Sequence, residues 1–547
     1  MENPFASPWL FATLLCLTSQ GIAVLGPVSI ASSQPAPYAL SPTYLQYLSQ
    51  QERKVYNAMK KYEQELEHRL ALVKKYTRDY EKSTILGTSF LGESVRNKER
   101  DSIISQHPIL AFRMLNRYAN EFNEIGKHIA ENAEQVSSAI VHEAEGVHGF
   151  PKFADVEDAI ISVLRMQFMY DLRSSDIAEG KIPGVLLNTA VKLTTEHCYR
   201  ISKTAQKLKY YTLALEWFDV TKSRFERDFQ EEHTAFNASS IDQDILETIA
   251  EHNREYQQLY DEGHEYIFAK RIRTASGPRP MTLRTQMVNE LSGLHLDEDD
   301  PEYYQSIYAK HIALCNGQNF QSRRELAKLK CWQDSNRIGE YWRIRPLKIE
   351  QVNSNPEIIQ IYDILPDKWI SHLKAIAFSA LERAPTGPNA TPRTAAYSWF
   401  KDQDIPQVPI SRRIELITGL NVVGMKAAEA LQVAAYAFGG HVELHFDSKG
   451  PDDPNPDPKG DRVTTFLIYL NDVSVAGLTT FPKLGFAVKP VKGSAVLWYT
   501  NTPNGPVDKW TLHGACPLIS GHKWIATKWT HSNENIFKRP CGLVPSD

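Results

Sequence analysis

The chain has 547 residues, which is enough for two to four domains of ordinary size. Hydrophobic residues make up 42% and charged residues 23% of the sequence, a balance typical of globular proteins that excludes a low-complexity chain. The formal net charge of -4 gives no general reason to expect nucleic acid or an acidic membrane surface as a partner.

An apolar run near the N-terminus is the first feature along the chain. Residues 9–18 (WLFATLLCLT) have the length of a signal-peptide core and are too short by themselves to span a bilayer. Because small residues follow, with a small-x-small pattern from Ser29 to Ala31, we predict a signal peptide over residues 1–31. An uncleaved anchor or a buried helix is the alternative. No other stretch is apolar enough to cross a membrane, so no membrane partner is expected.

The cysteines indicate an oxidising compartment. Cys16 would leave with the signal peptide, and five cysteines would remain. We interpret two pairs that are close in sequence as disulfides, Cys315 with Cys331 and Cys516 with Cys541, which leaves Cys198 outside both pairs. The absence of any CxxC motif argues against a structural zinc site. Two N-x-S/T triplets are compatible with glycosylation, and they begin at Asn237 and Asn389.

From residue 44 to residue 80, apolar residues spaced by threes, fours and sevens predict a helix with a heptad seam. The seam residues are Leu48, Val55, Met59, Tyr62, Leu66, Val73, Tyr76 and Tyr80. The pattern fits two interpretations equally: a short coiled coil between two chains, or an amphipathic helix packed on its own domain. We assign residues 38–150 to a helical N-terminal dimerisation region.

Helical periodicity continues toward residue 270. The helical segments are 111–122, 156–170, 196–218 and 245–268. Paired helices with aromatic residues are typical of repeat-type peptide-binding modules, and we assign residues 151–270 to such a domain. Residues 271–345 are interpreted as a linker that contains a disulfide-bonded segment.

The C-terminal part, residues 346–547, has the pattern of a β domain. Short strands bounded by Gly, Pro, Asn and Asp are predicted over 433–438, 441–447, 463–470, 487–491, 494–500 and 523–531. Many short strands at close spacing favour a sandwich or a barrel. The fold class predicted for the whole chain is therefore α+β and multidomain, with an all-α N-terminal half and a C-terminal β domain.

A His-x-Asp motif in one of these strands is the centre of the predicted chemistry. Residues i and i+2 of a strand project to the same face, so His445 and Asp447 point together and supply two of the three ligands of a 2-His-1-carboxylate metal site. His513, which is 513 − 445 = 68 residues away from His445, is the best candidate for the third ligand. Three ligands on one face leave room for a chelating cosubstrate and for oxygen. His441 and His522 are further histidines that compete with this assignment.

Lys523 lies ten residues after His513, at the start of the final predicted strand. An ammonium aimed into a small barrel requires an anionic partner, and the distal carboxylate of 2-oxoglutarate would supply one. A solvated surface lysine is the alternative for this residue taken alone. The motif, the distant histidine and the lysine together are far more specific than any one of them.

At these residues the chain resembles the collagen-type prolyl 4-hydroxylase α subunits, whose catalytic domain is a double-stranded β-helix, or jelly roll. The matching stretches are 431–436 (LQVAAY), 439–440, 445–447 (HFD), 479–482 (TTFP), 493–499 (GSAVLWY), 513–517 (HGACP) and 523–524. The resemblance implies Fe(II) ligands at His445, Asp447 and His513, with O2 and 2-oxoglutarate as cosubstrates and L-ascorbate as a cofactor. It also places Lys523 on the 2-oxoglutarate anchor, with Tyr436 and Thr479 in the cosubstrate pocket.

The resemblance extends toward the N-terminus through 107–112 (HPILAF), 180–184 (GKIPG) and 193–198 (LTTEHC). It implies a proline-rich, procollagen-like peptide substrate, with Tyr199, Tyr210 and Tyr211 as candidate binding residues. Protein disulfide isomerase is implied as the β subunit of an α2β2 tetramer in the lumen of the endoplasmic reticulum. The two cysteine pairs named above fall on the family's disulfides.

The chain departs from the family pattern in two motifs. Where the family has GGQYEPHFD this chain has GGHVELHFD, which puts Val442 in place of a tyrosine and Leu444 in place of a proline. Ala476 replaces the first glycine of the GGxTxFP motif. These changes keep open two alternatives: a divergent hydroxylase of a non-collagen secreted peptide, and a non-catalytic subunit that binds procollagen or disulfide isomerase.

Overall fold

The computed structural model describes residues 41–65, 70–88, 97–130, 151–185, 191–228, 236–261, 303–335, 341–383, 394–450 and 456–542. The helices of the first six ranges precede an antiparallel β region that begins at residue 331, so the predicted division into a helical half and a β half is confirmed. Among these described residues no helix is both long and apolar enough to cross a membrane. The predicted signal peptide, residues 271–302 and 336–340 of the predicted linker, and Asn389 lie outside them.

Five helices form the first helical group. They are α1 (Pro42–Glu65), α2 (Leu70–Thr88), α3 (Asn97–Gln106), α4 (Pro108–Asn116) and α5 (Phe122–Ala130), with a π-helical turn at Arg117–Glu121 between the last two. The heptad-seam residues Leu48, Val55, Met59 and Tyr76 are fully buried inside this single chain. Their burial against neighbouring helices favours an amphipathic helix packed on its own domain over a seam shared with a second chain.

A second helical group follows. Its members are α6 (Phe153–Tyr170), α7 (Ser174–Ala178), α8 (Thr195–Lys207), α9 (Tyr211–Asp228) and α10 (Ala238–Asp261). The segment 196–218, predicted as one helix, is two, because the chain turns at Lys209, where φ is +61°. The residues after the turn resume a helical apolar pattern, so periodicity alone did not reveal the break.

The β region contains two antiparallel sheets. Its strands are β1 (Cys331–Asp334), β2 (Leu347–Ser354), β3 (Glu357–Tyr362), β4 (Glu382–Arg383), β5 (Ala396–Phe400), β6 (Leu431–Tyr436), β7 (Val442–His445), β8 (Arg462–Tyr469), β9 (Thr479–Phe481), β10 (Phe486–Val488), β11 (Ala495–Tyr499), β12 (His513–Ala515) and β13 (Lys523–His531). The nine-stranded sheet has the order β1-β2-β3-β11-β8-β13-β6-β5-β4, and the four-stranded sheet has the order β10-β9-β12-β7. One apolar cluster joins them, with Tyr469, Trp498 and Ile525 from the larger sheet against Phe481 and Phe486 from the smaller.

Five α-helices of the described residues accompany the sheets: α11 (Tyr303–Cys315), α12 (Arg323–Leu326), α13 (Tyr341–Ile344), α14 (Asp367–Phe378) and α15 (Ile410–Thr418). The sheet begins before the predicted domain boundary at residue 346, because β1 pairs with β2 from inside the segment interpreted as a linker. That segment also contributes α11, which contacts β9 and β10. The boundary depends on the pairing of β1 with β2, which the sequence of a four-residue strand does not reveal.

The predicted disulfide pairing is wrong in this structure. Cys315, at the end of α11, is bonded to Cys516, which follows β12, with 5.6 Å between their Cα atoms. Cys331 and Cys541 are exposed free thiols, and Cys198 is buried outside the disulfide, as its place outside the predicted pairs implies. Nearness in sequence favoured the wrong partners, whereas the packing of α11 on the smaller sheet brings together two cysteines 201 positions apart.

Candidate active site

Two neighbouring strands of the smaller sheet carry the three predicted metal ligands. His513 of β12 stands directly opposite His445 of β7, and Asp447 follows two residues after His445. Nε2 of His445 lies 3.7 Å from one Asp447 oxygen, and Nε2 of His513 lies 3.5 Å from the other. One ligand atom from each residue falls within 4.8 Å of the others. In the described part of the chain, this is the one group of three His, Cys, Asp or Glu side chains arranged so that it could hold a metal ion.

Hydrogen bonds fix the orientation of both imidazoles. Nδ1 of His445 lies 2.8 Å from the Glu443 carbonyl oxygen, and Nδ1 of His513 lies 3.0 Å from the Thr511 carbonyl oxygen. A carbonyl only accepts, so Nδ1 must be the protonated nitrogen and Nε2 retains its lone pair. Both lone pairs thus belong to the atoms nearest Asp447. The donor set of two imidazoles and one carboxylate fits a ferrous ion with open coordination positions.

The third ligand, Asp447, is buried and held from two sides. The Thr465 hydroxyl donates to its Oδ2 at 2.6 Å, and Arg462 donates to its backbone carbonyl. Burial raises the pKa of Asp447, but the nearby His513, His445 and Arg462 outweigh burial and leave that pKa below its ordinary value. The carboxylate is therefore kept ionised, which is the form that binds a metal.

Lys523 occupies the predicted position in the interior of the β region. Its Nζ donates to the Gly477 carbonyl oxygen at 2.7 Å and lies 3.5 Å from the Thr479 hydroxyl. The ring centroids of Tyr436 and Tyr469 lie 5.9 and 5.6 Å from Nζ. Among the described residues no carboxylate forms an ion pair with Lys523, and burial lowers the pKa of its ammonium to about 7. The pocket lacks a counter-charge, which the distal carboxylate of 2-oxoglutarate would provide.

Two site residues, Thr465 and Tyr469, were missed by the sequence analysis. Both belong to β8, where alternate residues face the interior: Thr465 binds Asp447, and the Tyr469 hydroxyl donates to Thr479 at 2.9 Å. The period-two pattern of that strand could have identified them, because residues at even spacing share a face. Only the pairing of strands shows which of the two faces is the interior one.

The competing histidines lie elsewhere. His441 is buried and bound to Glu443 at 3.0 Å, and it is not part of the metal cluster. His522 precedes Lys523, and its carbonyl accepts a hydrogen bond from Asn471. Burial lowers the pKa of each imidazole to about 4, so both are neutral at physiological pH.

Val442, Leu444 and Ala476 keep the local structure. Val442 packs against the interior apolar cluster, and Leu444 lies against Gly514 of the neighbouring strand. Ala476 adopts a left-handed backbone with φ of +66°, which a glycine would adopt without a steric penalty and an alanine adopts at a cost of about 1 kcal/mol. None of the three replaces a metal ligand or displaces Lys523.

The three candidate peptide-binding tyrosines have different environments. Tyr199 stacks on Phe236 with 4.0 Å between centroids, and its hydroxyl donates to Asp244, so it is a packing residue here. Tyr210 is exposed. Tyr211 lines a cavity of about 600 Å³ between α8, α9 and α10. Most of the other lining residues are charged: Lys203, Lys207, Lys209, Arg254, Glu247, Glu251 and Glu255, with Gln206 and Gln258.

The remaining predicted site residue in the described part is Asn237. It is exposed just before α10, where its side-chain oxygen accepts hydrogen bonds from Ser240. This exposure leaves the asparagine accessible to a glycosylating enzyme, and its glycosylation stays a prediction.

Two family models match the chain. Residues 41–184 match the N-terminal region of the prolyl 4-hydroxylase α subunit, and residues 431–531 match the 2OG-Fe(II) oxygenase superfamily. The second range contains the three metal ligands and Lys523, together with Tyr436 and Thr479. The described fold and the matched family models thus agree on where the chemistry lies.

Whole-chain relatives carry the same name. Prolyl 4-hydroxylase subunit alpha-1 of Rattus norvegicus is 29% identical over 90% of this chain and 93% of its own length. Prolyl 4-hydroxylase subunit alpha-2 of Gallus gallus is 30% identical over 81% of this chain and 85% of its own length. One solved structure is that of a viral collagen prolyl hydroxylase from Paramecium Bursaria Chlorella virus-1 in complex with 2OG. It is 27% identical to this chain, and the match covers 32% of this chain and 94% of the viral chain at a TM-score of 0.26.

Proposed function

This chain belongs to the prolyl 4-hydroxylase α-subunit family, and from that premise we propose that it hydroxylates C4 of peptidyl proline in a procollagen-like substrate. It is a 2-oxoglutarate- and Fe(II)-dependent oxygenase. The observation that carries the proposal is the buried set of His445, Asp447 and His513, with Lys523 placed in the same β region as an anchor without a counter-charge. A non-catalytic binding subunit would have no need of either feature.

In the catalytic cycle the protein residues bind, orient and exclude water. His445, Asp447 and His513 would hold Fe(II) through two nitrogens and one oxygen, which leaves further positions for a chelating 2-oxo acid and for O2. Bound iron supplies the oxidation: 2-oxoglutarate loses CO2 and takes up one oxygen atom to become succinate, and the other oxygen atom becomes the prolyl hydroxyl group.

Lys523 anchors the distal carboxylate of 2-oxoglutarate by an ammonium–carboxylate pair and a hydrogen bond from the same group. Tyr436, Tyr469 and Thr479 wall the pocket around the ammonium, which keeps the pair out of water and strengthens it. Thr465 holds the Asp447 carboxylate with its oxygens toward the histidines. The protein therefore contributes a fixed geometry and a dry pocket.

Several further attributes extend the proposal. We propose a jelly-roll topology for the two sheets, protein disulfide isomerase as a β subunit in an α2β2 tetramer, L-ascorbate as a cofactor, and location in the lumen of the endoplasmic reticulum. The family membership and the predicted signal peptide support these proposals. Helical dimerisation and repeat-type peptide binding remain predictions for the helical half.

A second candidate function is a hydroxylase of a charged, non-collagen prolyl peptide. The cavity beside Tyr211 favours it, because seven of the ten lining residues carry charge, whereas a polyproline II helix is recognised by aromatic faces. The two candidates differ only in the substrate that reaches the iron.

The test uses the full chain coexpressed with disulfide isomerase, supplied with Fe(II), ascorbate and 2-oxoglutarate. Succinate release is followed with a (Pro-Pro-Gly) repeat peptide and, separately, with prolyl peptides that alternate Lys and Glu. We expect turnover that depends on the repeat peptide and that His513→Ala abolishes. Turnover with the charged peptides alone would select the second candidate. A soluble, iron-loaded complex without turnover on any peptide would refute both.

A further inference from the structure

Helix α6 of the helical half lies directly on the catalytic β region. A Cβ on Gly439 would stand 2.4 Å from the Ser162 Cβ, so the two backbones are in close contact. Arg165, three residues on, donates to the Gly439 carbonyl at 3.0 Å and to the Thr394 hydroxyl at 3.2 Å. Tyr170, the last residue of α6, donates to the Pro517 carbonyl at 2.5 Å. One side of the helix thus contacts the segment that precedes β7 and the segment that follows β12.

The segment after β12, residues 516–522, joins the metal ligand His513 to the anchor Lys523, and we call it the connecting loop. Three contacts from the helical half and α11 hold it: the disulfide from Cys315 to Cys516, the Tyr170 hydroxyl on Pro517, and a hydrogen bond from the Gly521 amide to the Gln106 carbonyl. Within the catalytic region Leu518 pairs with residues 439–440, and the Cys516 amide donates to the Leu478 carbonyl. The loop's path is therefore set by the helical half and α11 together with the β region.

The connecting loop also contacts the segment that carries the acceptor of Lys523. Leu518, the residue after Pro517, pairs with Ala476 in an isolated β-bridge, and a Cβ on Gly477 would stand 3.0 Å from the Leu518 Cδ1. The carbonyl of Gly477 accepts the hydrogen bond from Lys523. The Tyr170 hydroxyl therefore holds the loop next to the residue that packs on the backbone group orienting the ammonium.

We propose that the helical half forms part of the 2-oxoglutarate site, with Tyr170 as a positioning residue for Lys523. The hydroxyl fixes Pro517, and Leu518 beside it packs on Gly477, whose carbonyl orients the lysine. Tyr170 touches neither the cosubstrate nor the metal ligands, so its effect falls on the binding of 2-oxoglutarate and leaves the oxidation step intact. The inference rests on the oxygenase activity but not on the identity of the peptide substrate.

Tyr170→Phe removes the hydroxyl alone, and Tyr118→Phe is the matched control. Tyr118 is a buried tyrosine of the first helical group whose hydroxyl also donates to a backbone carbonyl, that of Leu48, at 3.0 Å. Each variant loses one buried hydrogen bond, which corresponds to a change of about three- to tenfold in an equilibrium constant. A general effect on stability would therefore appear in both.

We measure 2-oxoglutarate affinity by anaerobic titration of the Fe(II)-loaded complex, following the visible charge-transfer band of the chelated 2-oxo acid, and then the kinetic constants. Tyr170→Phe should weaken 2-oxoglutarate binding about three- to tenfold and raise its KM by a similar factor, with kcat and peptide KM near wild type. Tyr118→Phe should leave the titration unchanged. Equal titrations for both variants, or a loss confined to kcat or to peptide KM, would overturn the proposal.

A second pair of variants tests the other contact with the connecting loop, independently of how well Tyr170→Phe folds. Cys315→Ala/Cys516→Ala breaks the disulfide, and Cys331→Ala/Cys541→Ala removes the two exposed thiols instead. Only the first pair should weaken the 2-oxoglutarate titration. Because the titration requires no peptide, failure of peptide turnover with an intact titration would refute the proposed substrate and leave the positioning role standing.

Discussion

Lys523 offers the sharpest test of the site, because its charge is buried before the cosubstrate arrives. The side chain is buried among aromatic rings and backbone, with hydrogen bonds to Gly477 and Thr479 and, in the described part of the chain, no carboxylate partner. Lys523→Met keeps the length and apolar stem of the side chain and removes the ammonium. We expect opposite effects on stability and on cosubstrate binding.

The expected magnitude follows from the pKa. Burial lowers the pKa of Lys523 from 10.5 to about 7, and each unit of pKa difference corresponds to about 1.4 kcal/mol, so about 5 kcal/mol is an upper bound on the cost of burying the charge. Relaxation of the protein reduces this cost, and we expect Lys523→Met to raise the free energy of unfolding by about 2 kcal/mol at pH 7. The 2-oxoglutarate carboxylate then enters without a counter-charge, so its affinity should fall about 100-fold or more.

The pH dependence has a defined sign. The folded-state pKa is below the unfolded value, so between pH 7 and pH 10.5 the unfolded chain binds more protons at this lysine. The stability of the wild-type protein, as far as this group determines it, therefore rises with pH across that window. The stability advantage of Lys523→Met should be largest at pH 7 and should shrink toward pH 9.

The assay compares thermal unfolding of the metal-free proteins at pH 7 and pH 9, followed by a 2-oxoglutarate titration. Lys528→Met is the matched control, because Lys528 is buried in the same strand but lies 3.7 Å from the Asp402 carboxylate. Burial lowers the pKa of Lys528 as well, but the Asp402 carboxylate opposes that effect, so Lys528→Met should raise the free energy of unfolding by less than Lys523→Met does and should leave 2-oxoglutarate affinity unchanged. A lower Tm for Lys523→Met at pH 7, or unchanged 2-oxoglutarate affinity, would refute the reasoning.

Three further predictions concern the metal site and the helical half. Thr465→Val removes the hydrogen bond to Asp447 and should weaken Fe(II) binding about tenfold in a chelator competition. Thr464→Val is the control, because the Thr464 hydroxyl bonds Thr530, and it should leave Fe(II) binding unchanged. Equal Fe(II) affinities of the two variants would contradict this prediction. His513→Ala should lose bound iron as measured by metal analysis, while its circular dichroism spectrum stays that of the wild type; retention of stoichiometric iron would exclude the assigned ligand set. Arg117→Met removes the cation that pairs with the buried Glu52 carboxylate and with Asp79, which keeps Arg113, and should destabilise the helical half by about 3 kcal/mol in urea unfolding. A midpoint unchanged from wild type would argue that these ion pairs contribute nothing.

The sequence by itself determined the local features of the site. The two-residue period of a strand places His445 and Asp447 on one side, and the apolar and turn pattern identifies β6, β8, β11 and β13 within a few residues. The sequence also offered His513 and Lys523 as candidates, and the resemblance to a family implied the same roles for them. These features depend on neighbouring residues and on short motifs, which a single sequence displays directly.

The tertiary structure decided which distant groups meet. It paired Cys315 with Cys516 instead of with Cys331, and it buried the α1 seam within one chain. It selected the inward side of β8, which brought Thr465 to Asp447, and it placed Tyr170 on the loop between His513 and Lys523. The physical reason is the same in each case: periodicity specifies which side a residue occupies on its own element, whereas its partner depends on how elements far apart in sequence pack to bury their apolar surfaces.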